Sequence, residues 1–159
     1  MAKTFQELDA FKLAAEMNDT VWTFRSRIKS ESPGTWYQLD RSAGSVSDNI
    51  AEGFARESRA DFANFLRYSR GSAAEAQAQI ARSRRRNLIT DAEARKVWEQ
   101  LRRISMMLKG LRKYLKQKPN TNGGTVREEV IPYGEEYWPT SDQVPFWWHD
   151  EAKPRTPNP

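Results

Sequence analysis

The feature that most constrains this chain is an apolar seam that runs without interruption through residues 94–115. Its members recur at alternating intervals of three and four residues, which keeps them on one face of an α-helix. They are Ala94, Val97, Leu101, Ile104, Leu108, Leu111 and Leu115. Thr90 and Glu93 precede the seam at the spacing of a capping box, which satisfies the first backbone N–H groups of a helix. Because such a seam must be covered by other helices, the sequence predicts an all-α fold.

Similar spacing and punctuation predict three further helices, over residues 5–28, 36–55 and 58–86. In the first, either Val21 or Trp22 completes the apolar face. The second carries small residues such as Gly53 on its apolar face, which favours close approach of a neighbouring helix. Ser58 and Asp61 form a second candidate capping box at the start of the third. Four helices with short connections predict an antiparallel up-down-up-down four-helix bundle.

Charge and proline content divide the chain near residue 118. Residues 1–118 contain 23 Lys and Arg against 14 Asp and Glu, whereas residues 119–159 contain 3 against 7. Seven of the eight prolines lie in the second part, where they interrupt helices. We therefore expect a basic four-helix domain over residues 1–118 and an irregular, acidic, Pro- and aromatic-rich extension over residues 119–159.

Composition argues against most enzyme classes. The chain has no cysteine, and its single histidine, His149, lies in the extension. Thiol catalysis, Cys/His zinc sites and a Ser-His triad in the helical part are therefore excluded. We expect a non-enzymatic protein without a metal or cofactor. The acidic residues near the N-terminus, and the lack of an apolar run of about 18 residues, argue against secretion and membrane insertion. We expect a cytoplasmic location.

Cations line the side of the fourth predicted helix that lies opposite the seam, and few acids accompany them. An antiparallel arrangement would bring the arginines at the end of the third helix beside them. Phosphate complements such a surface, and contacts to a nucleic-acid backbone carry no base specificity. The candidate nucleic-acid-binding residues are Arg82, Arg84, Arg85, Arg86, Arg95, Lys96, Arg102, Arg103, Lys109, Lys113 and Lys116.

Polar side chains form a line on each of the two middle helices. We expect the two lines to close a buried network in which Arg41 neutralises a carboxylate and the helix register is fixed. The carboxylates Glu52 and Glu75 also permit a metal-site hypothesis, but a di-iron bundle requires histidines that the helices lack. The candidate network consists of Arg41, Ser45, Asn49, Glu52, Ser72 and Glu75.

A family resemblance rests on several stretches of these helices. They are residues 5–14 (FQELDAFKLA), 39–56 (LDRSAGSVSDNIAEGFAR), 61–66 (DFANFL), 71–75 (GSAAE) and 107–111 (MLKGL). Together they resemble the four-helix-bundle proteins encoded by 23S rRNA intervening sequences, over roughly residues 5–117. Those proteins are similar to Avd, the accessory variability protein of diversity-generating retroelements.

The resemblance implies an antiparallel four-helix bundle that assembles as a ring-like homopentamer and has no enzymatic activity. In the retroelement branch it implies a protein that binds RNA or DNA and a reverse transcriptase. It also implies that the residues of the candidate network recur as architectural positions. The chain departs from the family pattern after Lys118, where members usually end.

The acidic extension is rich in aromatic residues, which simple linkers lack. These residues could pack on the chain's own helices or a neighbouring subunit, or dock another protein. Two functions therefore stay open. One is a homo-oligomeric nucleic-acid-binding accessory protein that supports a reverse transcriptase. The other is a scaffold whose oligomer displays the extension to a protein partner. The candidate partner-binding residues are Tyr137, Trp138, Phe146, Trp147 and Trp148.

Overall fold

A computed structural model describes residues 2–56 and 58–117, and all regular structure in them is helical. A short 3-10 helix, Phe5–Glu7, precedes five α-helices. These are α1 (Asp9–Trp22), α2 (Arg25–Glu31), α3 (Pro33–Phe54), α4 (Arg59–Arg85) and α5 (Asp91–Lys116). The predicted all-α fold is confirmed for this part of the chain. The extension from residue 119 onward, with its candidate docking residues, lies outside the described residues.

Helix α5 forms as its sequence pattern predicts. All seven residues of the seam are buried. At the start of the helix, the backbone N–H of Glu93 donates to Thr90 Oγ1 at 3.2 Å. The backbone N–H of Thr90 donates in return to Glu93 Oε2 at 2.8 Å. This reciprocal pair is a capping box, so both the start of the helix and its buried face are confirmed.

Helix α4 is closed at both ends by local hydrogen bonds. Ser58 Oγ accepts from the backbone N–H of Asp61 at 3.3 Å, but the aspartate, one methylene shorter than a glutamate, makes no return bond to Ser58. The predicted capping box is therefore half formed. At the other end, Asn87 has a φ of 57°, in the left-handed region. The N–H of Leu88 donates to Ser83 O at 2.9 Å, which completes a Schellman motif.

The prediction of one helix over residues 5–28 is wrong, because the chain turns at Thr23 and Phe24. The N–H groups of both residues donate to carbonyls three positions back, at 3.2 and 3.0 Å, instead of four. Thr23 Oγ1 also donates to Thr20 O at 2.7 Å, so a side chain competes with the helical ladder. The turn buries Phe24 and Val21 and leaves Trp22 exposed, which decides between the two candidates for the apolar face.

The helices pack side by side around a common apolar core. Helix α3 packs against α4, α4 against α5, and α1 against both α3 and α5, while α2 packs on α3. Leu39, Ile50, Leu66 and Leu108 are completely buried in this core. None of the helices in residues 2–56 and 58–117 combines the length and the apolar character needed to cross a lipid bilayer.

The close approach of α3 and α4 depends on a glycine. Two polar contacts also connect neighbouring helices. A Cβ atom placed on Gly53 would lie 2.5 Å from Phe65 Cβ, so only glycine fits without movement. Ser69 Oγ donates across the same interface to Val46 O at 2.7 Å, fully buried. Between α1 and α3, Asn18 Nδ2 donates to Ser47 Oγ at 3.0 Å. The prediction of a small-residue contact at Gly53 is confirmed.

Candidate nucleic-acid interface

The outer face of α5 carries one sign of charge. The exposed charged residues of this helix are lysines and arginines, and its three acids are partly covered. None of these exposed cations forms an ion pair within residues 2–56 and 58–117. We call this surface the α5 face, and it consists of Lys96, Arg103, Lys109, Lys113 and Lys116.

Arg84 does not belong to this surface. Its side chain is only 8% exposed, and its Nε donates to Asp91 Oδ1 at 2.8 Å. Asp91 is the first residue of α5, so this ion pair ties the end of α4 to the start of the next helix. The expected place of Arg84 on the exposed basic surface is therefore corrected, because the partner that covers it lies across a turn that helical periodicity does not describe.

Arg102 and Arg95 are also withdrawn from the surface. Arg102 donates through Nε and Nη2 to both carboxylate oxygens of Glu99, at 3.1 and 2.6 Å, and its side chain is 16% exposed. Its Nη1 lies 3.3 Å from Met106 Sδ. Arg95 is half-buried. Both arginines are therefore less accessible to a phosphate group than the exposed cations of the α5 face.

The remaining arginines at the end of α4 are exposed but differ in their contacts. Arg82 Nη1 donates to Gln79 Oε1 at 3.2 Å. Arg86 Nη1 donates to Thr35 Oγ1 at 2.9 Å and to Ser32 Oγ at 3.2 Å, so it fastens this end of α4 to the start of α3. Arg85 is exposed and makes no ion pair within the described residues. The end of α4 therefore carries three exposed arginines.

Helix α2 adds cations that the sequence analysis did not single out. Arg25, Arg27 and Lys29 are exposed on this short helix. Arg27 Nη2 donates to Glu93 Oε1 at 2.6 Å, which fixes α2 to the first turn of α5. The Arg27 bond, aided by bonds from Thr90 and opposed by burial, lowers the pKa of the Glu93 carboxyl below its ordinary value. Residues 25–29 (RSRIK) contain these cations, but the sequence analysis places them at the end of one long predicted helix and does not treat them as a surface.

The predicted buried network is wrong for the single chain. Arg41, Glu52 and Glu75 are exposed, and Ser45, Asn49 and Ser72 are partly exposed. Glu52 pairs with Arg56 one turn along its own helix at 2.6 Å, not with Arg41. Asn49 Nδ2 donates to Ser45 O, also within α3, at 2.6 Å. Helical spacing places these residues on one line, but the line lies at the edge of the α3–α4 contact because apolar side chains fill the interior.

Comparison with known proteins identifies the family. A family model described as 23S rRNA-intervening sequence protein matches residues 6–110, which is more than half of the chain. The chain belongs to this family. No curated protein matches it.

A solved structure supports the same fold. It is a protein of unknown function from the S23 ribosomal protein family of Bacteroides thetaiotaomicron VPI-5482, and it superposes with a TM-score of 0.61. The similarity covers 65% of this chain and 98% of that chain, at 23% sequence identity. At this identity, the likeness concerns the fold alone.

The 23S rRNA-intervening sequence family match includes α1 to α4 and most of α5. Lys96, Arg103 and Lys109 of the α5 face lie inside the matched range, as do the cations of α2. Lys113 and Lys116 lie beyond residue 110. The family assignment therefore gives the helical scaffold, whereas the charge of the α5 face has to be argued from this chain's own residues.

Proposed function

We propose that this protein is a non-enzymatic accessory factor that binds the phosphate backbone of RNA or DNA through the α5 face. The observation that carries the proposal is the charge of that face, whose five exposed charged residues are all cations. Phosphate oxygens are the ligands that such a surface attracts, and the attraction needs no particular base sequence.

The dimensions of the α5 face suit an extended polyanion. Lys96 and Lys116 are separated by 20 helical residues, which corresponds to about 30 Å along the axis and roughly 160° around it, so a bound strand would cross the outside of the helix obliquely. Arg103, Lys109 and Lys113 lie between them. Each phosphate that the face neutralises is expected to add about 0.7 to 0.9 to the slope of log affinity against log salt. Five such contacts would give a strongly salt-dependent interaction.

Self-assembly is part of the proposal. The helices are proposed to form an antiparallel four-helix bundle, and the bundles a ring-like homopentamer, as the resemblance to the Avd-like proteins implies. Repetition of the α5 face around a ring would allow several weak contacts to act on one nucleic-acid strand. In this setting a reverse transcriptase is the proposed protein partner.

The nucleic-acid part is tested by charge reversal with a matched control. Arg103, Lys109 and Lys113 are replaced by Glu in one variant; in the other, three exposed cations outside α5 are replaced, giving the same change in net charge. The control positions are Lys12, Arg41 and Arg67. Binding of labelled RNA and DNA is measured between about 50 and 200 mM salt. We expect the first variant to lose binding and the control to keep most of it, with unchanged helical circular dichroism.

Equal binding by the two variants would contradict a role for the α5 face. Undetectable binding by the wild-type chain at low salt would remove the nucleic-acid function and leave the scaffold alternative. Assembly is measured separately by light scattering on the full chain and on a chain ending at residue 118. We expect the mass of five subunits in both cases, and a monomeric mass for the full chain would refute the assembly.

A further inference from the structure

Trp22 is a large apolar side chain that the fold leaves in solvent. It is the last residue of α1, and it is 56% exposed. Its ring contacts the ring of Trp36 edge-on, with centroids 5.9 Å apart and an interplanar angle of 65°. The guanidinium of Arg25 lies over the Trp22 ring, 4.9 Å from its centroid. The indole is therefore held in place by two neighbours while much of its surface stays accessible.

A shallow basic depression adjoins this tryptophan. It is lined by Arg25, Ser26, Lys29 and Ser30 of α2 and has a volume of about 340 Å³. Both of its charged residues are cations, and all four lining residues are exposed. Arg25 belongs to the depression and also stacks on Trp22, so the aromatic ring and the positive charges form one continuous surface. We call this surface the Trp22 site.

Two other large hydrophobic side chains of the described residues are exposed, and they lack this combination. Tyr37 is 60% exposed on α3, and no cation stacks on its ring. Tyr68 is 50% exposed and has Arg67 over its ring at 5.2 Å, but no residue of the basic depression adjoins it. The exposed aromatic and the basic depression coincide at Trp22.

We propose that the Trp22 site binds single-stranded nucleic acid, with one unpaired base stacked on the Trp22 ring and the flanking phosphates on Arg25 and Lys29. Aromatic rings stack on any unpaired base, while adjacent cations hold the backbone. In a duplex the base faces are already covered by their neighbours, so the site distinguishes single strands from duplexes. This assignment rests on the function proposed above, since the α5 face supplies the main electrostatic attraction.

The test compares three variants of the full chain with the wild type. Trp22→Leu keeps an apolar side chain against Trp36 but removes the aromatic face, Trp22→Phe keeps a smaller aromatic face, and Tyr37→Ala is the matched control. Affinity is measured by fluorescence anisotropy for an unstructured RNA, the DNA of the same sequence, an RNA with abasic positions and a duplex. Helical circular dichroism checks that each variant is folded.

We expect Trp22→Leu to weaken single-strand binding about tenfold, as loss of one stacked base does. Trp22→Phe should retain most of the affinity, and Tyr37→Ala should behave as the wild type. The wild type should bind the abasic RNA more weakly than the intact RNA, and Trp22→Leu should abolish that difference. Duplex binding should not change. If Trp22→Leu lost a similar factor in affinity for RNA and for DNA, the stacked base would be the ligand common to both, and the site would not distinguish ribose from deoxyribose.

Equal single-strand affinity for Trp22→Leu and Tyr37→Ala would overturn the Trp22 site. If charge reversal on the α5 face still abolished binding, the proposed function would stand without the Trp22 site. A wild-type chain that binds neither single strands nor duplexes would overturn both. An equal loss of duplex and single-strand binding in Trp22→Leu would assign Trp22 to packing and also reject the site.

Discussion

Replacing Gly53 by alanine tests how closely α3 and α4 approach each other. The added Cβ would lie 2.5 Å from Phe65 Cβ and 2.8 Å from Phe62 Cδ2. Phe65 Cβ is attached directly to the backbone of α4, so a rotation of its side chain cannot move it away. Accommodating the new methyl group therefore requires a shift of the helices themselves.

Two opposing effects set the magnitude. Alanine is the better helix former, and replacing glycine inside a helix gains about 1 kcal/mol. Overpacking a well-filled contact typically costs about 1 to 3 kcal/mol. The net expectation for Gly53→Ala is a loss of up to about 2 kcal/mol in the free energy of unfolding. Gly44 lies in the same helix, but a Cβ added there would meet nothing within 4 Å. Gly44→Ala should therefore gain about 0.5 to 1 kcal/mol.

The assay is urea denaturation followed by far-ultraviolet circular dichroism on both variants and the wild type. We expect the two variants to move the midpoint in opposite directions. Gly71→Ala, in α4, is a second control, because a Cβ there also meets nothing within 4 Å. If Gly53→Ala raised stability as much as Gly44→Ala does, the close contact at Gly53 would be refuted.

Three further predictions concern polar contacts, each measured by urea denaturation. Ser69→Ala should cost about 1 kcal/mol because it removes a buried hydrogen bond between helices, whereas Ser72→Ala should change stability little; equal effects would contradict this. Glu93→Gln should cost about 0.5 kcal/mol at neutral pH by weakening the pair with Arg27. Because folding lowers the pKa of Glu93, its stabilisation is present above the unfolded pKa and is lost as pH falls through the folded value; a deficit that did not shrink as the pH is lowered would contradict this. Glu52→Ala should lower the free energy of unfolding by less than about 0.5 kcal/mol, because its ion pair is exposed. A loss of several kcal/mol would instead support the hypothesis of a buried network.

Helix α5 and its cap could be predicted because the information is local. The interval of three and four residues defines the buried face wherever the helix packs, and Thr90 and Glu93 close their hydrogen bonds within one turn. The contact at Gly53 could also be predicted, since a glycine on an apolar helix face has few other reasons to be there. For α5 the deciding residues lie within the helix itself, and for Gly53 the signal is the place of the glycine on an apolar face, whereas its partner Phe65 belongs to α4.

The interruption at Thr23 could not be predicted in the same way. No proline or glycine marks it, and the residues around it continue the apolar spacing. At this point the N–H groups of Thr23 and Phe24 donate to carbonyls three residues back, and Phe24 is buried in the core. The burial of Phe24 depends on tertiary packing, which a periodic pattern does not contain.

The candidate surface loses residues whose acidic partner lies across a turn or on the same helix. Arg84 is covered because Asp91 meets it across a turn. Arg102 is covered because Glu99 lies one turn earlier on its own helix. A count of cations on a helical wheel assigns both to the surface, since it records direction and ignores pairing. Screening each cation for an acid at three or four positions along the helix would have selected Arg102, but also Lys96 and Arg103, which form no ion pair within the described residues, and it would have missed Arg84.

Helix α2 connects the two proposed nucleic-acid sites. It carries Arg25 and Lys29, follows Trp22 after a two-residue turn, and holds Glu93 in the first turn of α5 through Arg27. The Trp22 site is therefore fastened to the helix that carries the α5 face. A strand held by its phosphates along α5 would have a stacking surface attached to the start of that helix.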